Sequence, residues 1–179
     1  MHCTKFRHLV LILLVFAGSP IALAKPGPHA PFEATGTVIK NHDGDTIKLQ
    51  TTERGVLNIR FSGADTPETG QAYWRAAAGF LKSLVDGKET TVWCYKRDRY
   101  DREVCHVRAG NQDLGQALIE AGYAWYAHQF ASELSETQRL AYLEGERRAR
   151  VLHIGLWQEA DPMPPWECRR LKKAKQHCR

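Results

Sequence analysis

The stretch NHDGDTIKLQ, residues 41–50, sets two carboxylates around one glycine just ahead of an alternating run. Asp43-Gly44 is a hairpin signal, because glycine accepts positive φ and an Asp side chain can hydrogen-bond its own backbone. That accounts for Asp43 and Gly44 and leaves Asp45 without a task. Asp45 stands at the mouth of Thr46-Ile47-Lys48-Leu49, whose apolar side chains recur with period two. A carboxylate at the first position of a strand is rigidly aimed. The rest of the chain has to supply its target.

Working outward, residues 35–39, 46–49 and 56–61 read as three strands, joined by the Asp-Gly turn and by Glu53-Arg54-Gly55. Residues 73–85 carry apolar side chains at helical spacing and end at Asp86-Gly87. Residues 90–94 and 104–107 form a later hairpin, and residues 114–121 a short helix that stops at Gly122. The longest helix is expected over residues 135–152, with Glu144–Arg148 and Glu146–Arg150 pairs and one weak point at Gly145. Leu156-Trp157 is expected to pack back on the core. The spacing is too hairpin-like for a parallel βαβ layer. It points to an α+β fold in which a closed five-stranded barrel has helices packed on it.

The chain begins with Lys5 and Arg7, an apolar stretch from Leu9 to Ala17, and small residues at Ala22 and Ala24. This is the pattern of a secretory signal peptide cut before Lys25, and the apolar stretch is short for a membrane span. The expected organisation is a signal peptide over 1–24, a flexible Pro-rich lead-in over 25–34, the barrel domain over 35–160 and a basic tail over 161–179. The formal charge is +5, and +3 without Lys5 and Arg7. Residues 166–179 carry six Lys or Arg against one Glu, which leaves residues 25–165 near neutral at −2. A uniformly basic binding protein is therefore excluded, although the tail can attract a polyanion locally.

Four cysteines follow the signal segment: Cys94, Cys105, Cys168 and Cys178. In an exported protein they can be oxidised, and four cysteines allow three pairings. Cys94 and Cys105 stand symmetrically about the turn Asp98-Arg99-Tyr100-Asp101, which favours Cys94–Cys105 and, by remainder, Cys168–Cys178. Zinc competes weakly, because close Cys-x-x-Cys knuckles are absent.

The partner set for Asp45 lies in NIRFSGADTPETG, residues 58–70. Arg60 sits near a strand end, and Asp65, Thr66 and Glu68 cluster in the loop after it, with Pro67 restricting that loop. Three carboxylates gathered in one cleft would repel unless a cation or arginines sat among them. Carboxylate and carbonyl oxygens favour a hard cation such as Ca²⁺ or Mg²⁺. The plain alternative is three solvated loop acids.

Asn41-His42-Asp43-Gly44-Asp45-Thr46, Arg60 with residues 63–69, Asp98-Arg99-Tyr100-Asp101-Arg102 and Gly155-Leu156-Trp157 together resemble the thermonuclease family, that of staphylococcal nuclease. The four motifs occur in order from about Thr35 to Trp157. The resemblance implies an OB-type five-stranded barrel with three helices. It also implies Ca²⁺-dependent hydrolysis of DNA and RNA phosphodiesters with little sequence specificity, leaving 3′-phosphates. By motif, Asp45 and Asp65 resemble the carboxylate ligands of one Ca²⁺, and Thr66 the ligand that uses its carbonyl. Glu68 resembles the general base, and Arg60 and Arg102 the phosphate clamp. Tyr100 and Tyr126 lie near the positions of tyrosines that border the nucleotide. The family hairpin usually has glycine where this chain has Asp101. Strand alternation would still let Asp101 face solvent while Arg102 enters the site.

These expectations add up to an exported nuclease of periplasm or medium. It would act on DNA and RNA as a monomer, with no stable protein partner and no membrane anchor after signal cleavage. Two other readings stay open from sequence: a catalytically silent OB-fold module that only binds nucleic acid, and an exported structural or adhesion domain. His42, His106, His128 and His153 are dispersed without triad spacing, and Trp74, Trp93, Trp125 and Trp157 are expected to fill the core. Lys172, Lys173 and Lys175 read either as contacts to a nucleic-acid backbone or as a solvated terminal charge run.

Overall fold

The computed structural model describes residues 29–178, so the expected signal peptide and cleavage site lie outside the described residues. Strands β1 (Phe32–Asn41), β2 (Thr46–Thr51) and β3 (Gly55–Phe61) form an antiparallel meander. β1 begins at Phe32, and Phe32 to Thr37 pair with Cys94 to Glu89 of β5 (Glu89–Arg97). The last residues of the expected lead-in therefore belong to the sheet. β5 pairs with β6 (Glu103–Ala109), and β6 closes the barrel by pairing in parallel with β3, Arg60 opposite Val104. This is the closed five-stranded barrel of an α+β OB-type fold. Two-residue strands β4 (Ala64–Asp65) and β8 (Trp125–Tyr126) pair with each other, and β7 (Gln112–Asp113) extends β6.

The barrel closes around Ile47, Leu49, Ile59, Phe61 and Val92, all at or below 1 % exposure. Helix α1 (Trp74–Val85) buries Ala77, Leu81 and Val85, four residues apart each time, which is one helical face. Helices α2 (Leu114–Glu120) and α3 (Glu136–Val151) pack on each other. Ser135 and Gln138 start α3 with reciprocal side-chain to backbone bonds. Gly145 in α3 has a steric reason: a Cβ there would meet the Cγ of Glu120 at 2.9 Å. The expected Glu146–Arg150 pair forms at 3.3 Å, whereas Glu144 takes Arg147, and Arg148 turns to Glu120 of α2. Leu156 and Trp157 are buried in a second cluster with Trp125 and Ala149. Trp93 departs from expectation. It is 45 % exposed on the outer face of β5, stacked on Tyr95 and His106, because its neighbours Val92 and Cys94 take the inward positions.

The C-terminal segment is not a loose arm. Helix α4 (Pro165–Lys173) starts with proline at its first turn and buries Pro165 and Cys168. Cys168 is bonded to Cys178, and Cys94 to Cys105 across directly opposed positions of β5 and β6. No helix among the described residues is long and apolar enough to cross a membrane.

Candidate active site

The β1–β2 turn delivers Asp43 and Asp45. Gly44 has φ 120°, and a Cβ there would meet Thr66 at 3.0 Å and Ala77 at 3.1 Å, so only glycine lets this turn lie against the next loop. The Thr46 amide donates to Asp43 Oδ1, and the Thr46 hydroxyl to Asp45 Oδ1. Asp45 Oδ2 accepts the Thr66 amide at 2.9 Å, and the Thr66 hydroxyl donates to the Asp43 carbonyl. The turn and the Asp65–Glu68 loop are thus stitched together through Thr66, which is 2 % exposed.

The resulting cleft has a volume of about 710 Å³. Asp45, Asp65, Glu68, Arg60 and Arg102 all line it, and so does Tyr100. Thr46 of β2 pairs with Arg60 of β3, which sets Arg60 next to the acids, and its guanidinium lies 4.6 Å over the Phe130 ring. Arg102 enters from the β5–β6 turn and donates Nη1 to the Thr46 hydroxyl at 3.1 Å and Nε to Asp98 at 2.9 Å. Tyr100 is 63 % exposed at the rim, with Arg102 5.6 Å from its ring. Tyr126 is placed elsewhere. It is 4 % exposed in the short β4–β8 pairing, against His128 and Tyr142, and does not line the cleft.

Asp101 faces away from the cleft, but strand alternation is not the reason. It occupies the left-handed region at φ 61° inside the turn, with its carboxylate exposed beside Arg97. Asp is one of the few non-glycine residues that tolerate that conformation. Arg97 itself is turned onto Glu103, and Lys96 is paired with Glu133 at the side of the cleft.

Phe130 and Glu133 were not anticipated in the cleft, and neither were two residues that bear directly on its acids. Asp43, explained in the sequence by its turn alone, also lines it. Burial and the charges of Asp45 and Glu68 push its carboxyl up to about 7. Arg169 of α4 is the other. Its Nη1 donates to Asp65 Oδ1 at 3.0 Å and to Glu68 Oε1 at 2.7 Å, and its Nη2 to Asp65 Oδ2 at 2.6 Å. Burial raises the Asp65 carboxyl to about 6 against the opposing pull of the Arg169 hydrogen bonds, with Asp45 raising it further. The proline pair Pro164-Pro165 and the spacing of Glu167 and Arg170 were the available helix signals in that basic run.

The chemistry open to such a cleft is attack on a phosphodiester. Planar guanidinium forks can hold two phosphate oxygens each, and carboxylates can hold a cation or accept a proton from water. Comparison with known proteins points the same way. The family model described as staphylococcal nuclease homologue matches residues 58–159. An Escherichia coli protein named as an uncharacterized endonuclease is 35 % identical over 167 residues, which cover 93 % of this chain and 99 % of that one. A Shigella flexneri protein named micrococcal nuclease is 31 % identical over 147 residues, 77 % of this chain and 82 % of its own. A Haemophilus influenzae protein named as an uncharacterized endonuclease is 29 % identical over 139 residues, 78 % and 75 % respectively. With that match spanning β3 to the segment after Trp157, this chain belongs to the staphylococcal nuclease homologue family.

Proposed function

We propose that the chain is an exported endonuclease that hydrolyses DNA and RNA phosphodiesters with little sequence preference, uses one Ca²⁺ and leaves 3′-phosphates. Phosphodiester hydrolysis comes with the family. The observation that carries the reading is that Arg60 and Arg102 face the same cleft as Asp45, Asp65 and Glu68.

The donor chemistry fits a hard cation. The cleft offers carboxylate oxygens, with Asp43 and Asp65 raised first by burial and further by neighbouring acids, and hard oxygen donors suit Ca²⁺. As the side chains stand with Arg169 among them, no three His, Cys, Asp or Glu of the described residues are grouped to hold a metal. The carboxylates of Asp45 and Asp65 and the carbonyl of Thr66 would hold the ion. When bound, such an ion supplies positive charge where the phosphate oxygens gain negative charge.

The protein's own groups supply the rest. Arg60 and Arg102 donate to the equatorial phosphate oxygens, and Phe130 and Asp98 limit the freedom of the two guanidinium groups. Glu68 accepts the proton of the attacking water, directly or through one intervening molecule. Tyr100 borders the nucleotide from the rim. Contacts of this kind go to the phosphate and not to base edges, which supports low sequence preference.

Export is supported by Lys5, Arg7, the apolar stretch and Ala22-Leu23-Ala24, and two disulfides suit an oxidising compartment. The discriminating test incubates the protein lacking residues 1–24 with single-stranded DNA and with RNA, in Ca²⁺ or in chelator. Both substrates should be cut in Ca²⁺ and stay intact in chelator. Binding without cleavage in Ca²⁺ contradicts the reading.

A further inference from the structure

The cleft already holds a cation, and it belongs to the protein. Arg169 takes both oxygens of Asp65 and one of Glu68, so the Asp65 carboxylate is engaged by a full guanidinium fork. Asp65 is the deepest acid of the set, with its side chain 2 % exposed. A divalent ion on the same carboxylate would lie within a few ångströms of the Arg169 charge, and like charges that close repel strongly. Each occupant therefore disfavours the other.

Helix α4 is docked for this contact and not merely near it. Gln71, 4 % exposed, accepts the Glu68 amide at 2.7 Å and donates to the Met163 carbonyl at 3.0 Å, joining the Glu68 loop to the approach of α4. Lys172 donates to the Thr69 carbonyl at 2.9 Å, the Trp166 ring meets Trp125 edge-on, and Cys168 is fully buried beside Arg169. The Arg169 side chain itself is 40 % exposed. It can therefore leave the carboxylates by side-chain rotation while the helix stays in place.

We propose that Arg169 is an internal competitor for the divalent ion, so that α4 sets the ion concentration at which the site loads. The proposal rests on the cation-dependent reading of the cleft and adds a device to it. An acid site occupied by its own arginine has an apparent affinity reduced by the fraction of molecules in which the arginine has moved away. A purely structural ion pair predicts the reverse, since its loss would loosen Asp65 and Glu68 and weaken ion binding.

The test is calorimetric titration of CaCl₂ into wild type, Arg169→Gln and Arg169→Lys, with no substrate present. R169Q should bind about tenfold more tightly than wild type, and R169K should fall between, because charge is kept while the fork is lost. Binding in R169Q that is equal to or weaker than in wild type overturns the proposal. If neither protein binds Ca²⁺, the cation-dependent reading falls and takes the proposal with it, which is a distinct result. Should R169Q fail to fold, ¹⁵N NMR of the wild-type Arg169 Nη protons decides. They should be hydrogen-bonded without Ca²⁺ and exchange with solvent in its presence; no change on saturation with Ca²⁺ overturns the proposal.

Discussion

Asp98 holds Arg102 from both ends: Oδ2 accepts Arg102 Nε at 2.9 Å, and Oδ1 accepts the Arg102 amide at 3.0 Å. The same Oδ1 accepts the Tyr100 amide, so one carboxylate shapes the turn and aims the guanidinium. Burial would raise the Asp98 carboxyl, but the backbone and guanidinium donors outweigh it and hold it below its usual value. A carboxylate with a depressed folded pKa stabilises above its unfolded pKa and loses that contribution as pH falls through the folded value. Asp98→Ala should therefore cost about 1–3 kcal/mol at pH 7. The gap to wild type should narrow as pH falls below about 3.9. Urea unfolding at pH 7 and pH 3 checks both statements.

Asp101 sits at φ 61° with its carboxylate 83 % exposed. Glycine adopts that conformation without a Cβ penalty, and the surface pair with Arg97 contributes little. Asp101→Gly should be neutral or stabilising by up to about 1 kcal/mol, with cleavage retained. A loss of activity in D101G would show that the Asp101 charge acts on the cleft, which thermal unfolding and a cleavage assay together would reveal.

How much of this was legible in the sequence depended on how local the cause was. Period-two alternation and the Asp-Gly turn mark β2 because hairpins are specified by neighbours in the chain. Closure of the barrel joins Arg60 to Val104 in parallel, a pairing with no local signal. The ends of strands also ran further than the apolar pattern, since pairing with β1 carries β5 out to Glu89 and its hairpin carries it to Arg97. Asp45, Asp65, Glu68, Arg60 and Arg102 were singled out through motif order, and the fold gathers them in one cleft. Asp43 was hidden because its turn already explained it. Arg169 was hidden because a terminal run of Lys and Arg usually points into water, and only tertiary packing turns one of them inward. Tyr126 was placed at the site by motif proximity, while the β4–β8 pairing turns it into the core.

Cys94 and Cys105 face each other across the hairpin that carries Asp98 and Arg102, and both are fully buried. The bond closes a loop with a sequence separation of 11. Replacing both by alanine should cost on the order of 2–4 kcal/mol, most of it by freeing the unfolded chain. Denaturant midpoints of the double variant and of wild type would measure it. Activity per folded molecule should fall less than stability, because the Asp98 contacts still shape the turn.

The central claim is that the guanidinium forks in the acid-lined cleft stabilise charge on a phosphodiester as it is cut. Arg102 tests it most directly, because Arg102→Lys keeps a positive charge and removes the fork. The measurement is kcat/KM of wild type and R102K on an end-labelled single-stranded oligonucleotide in Ca²⁺, with thermal unfolding of both proteins alongside. A fall of about 100-fold or more with a nearly unchanged melting temperature is the predicted result. Near wild-type kcat/KM in R102K would contradict the account and move the missing contact to another cation of the cleft, Lys96 or Arg99.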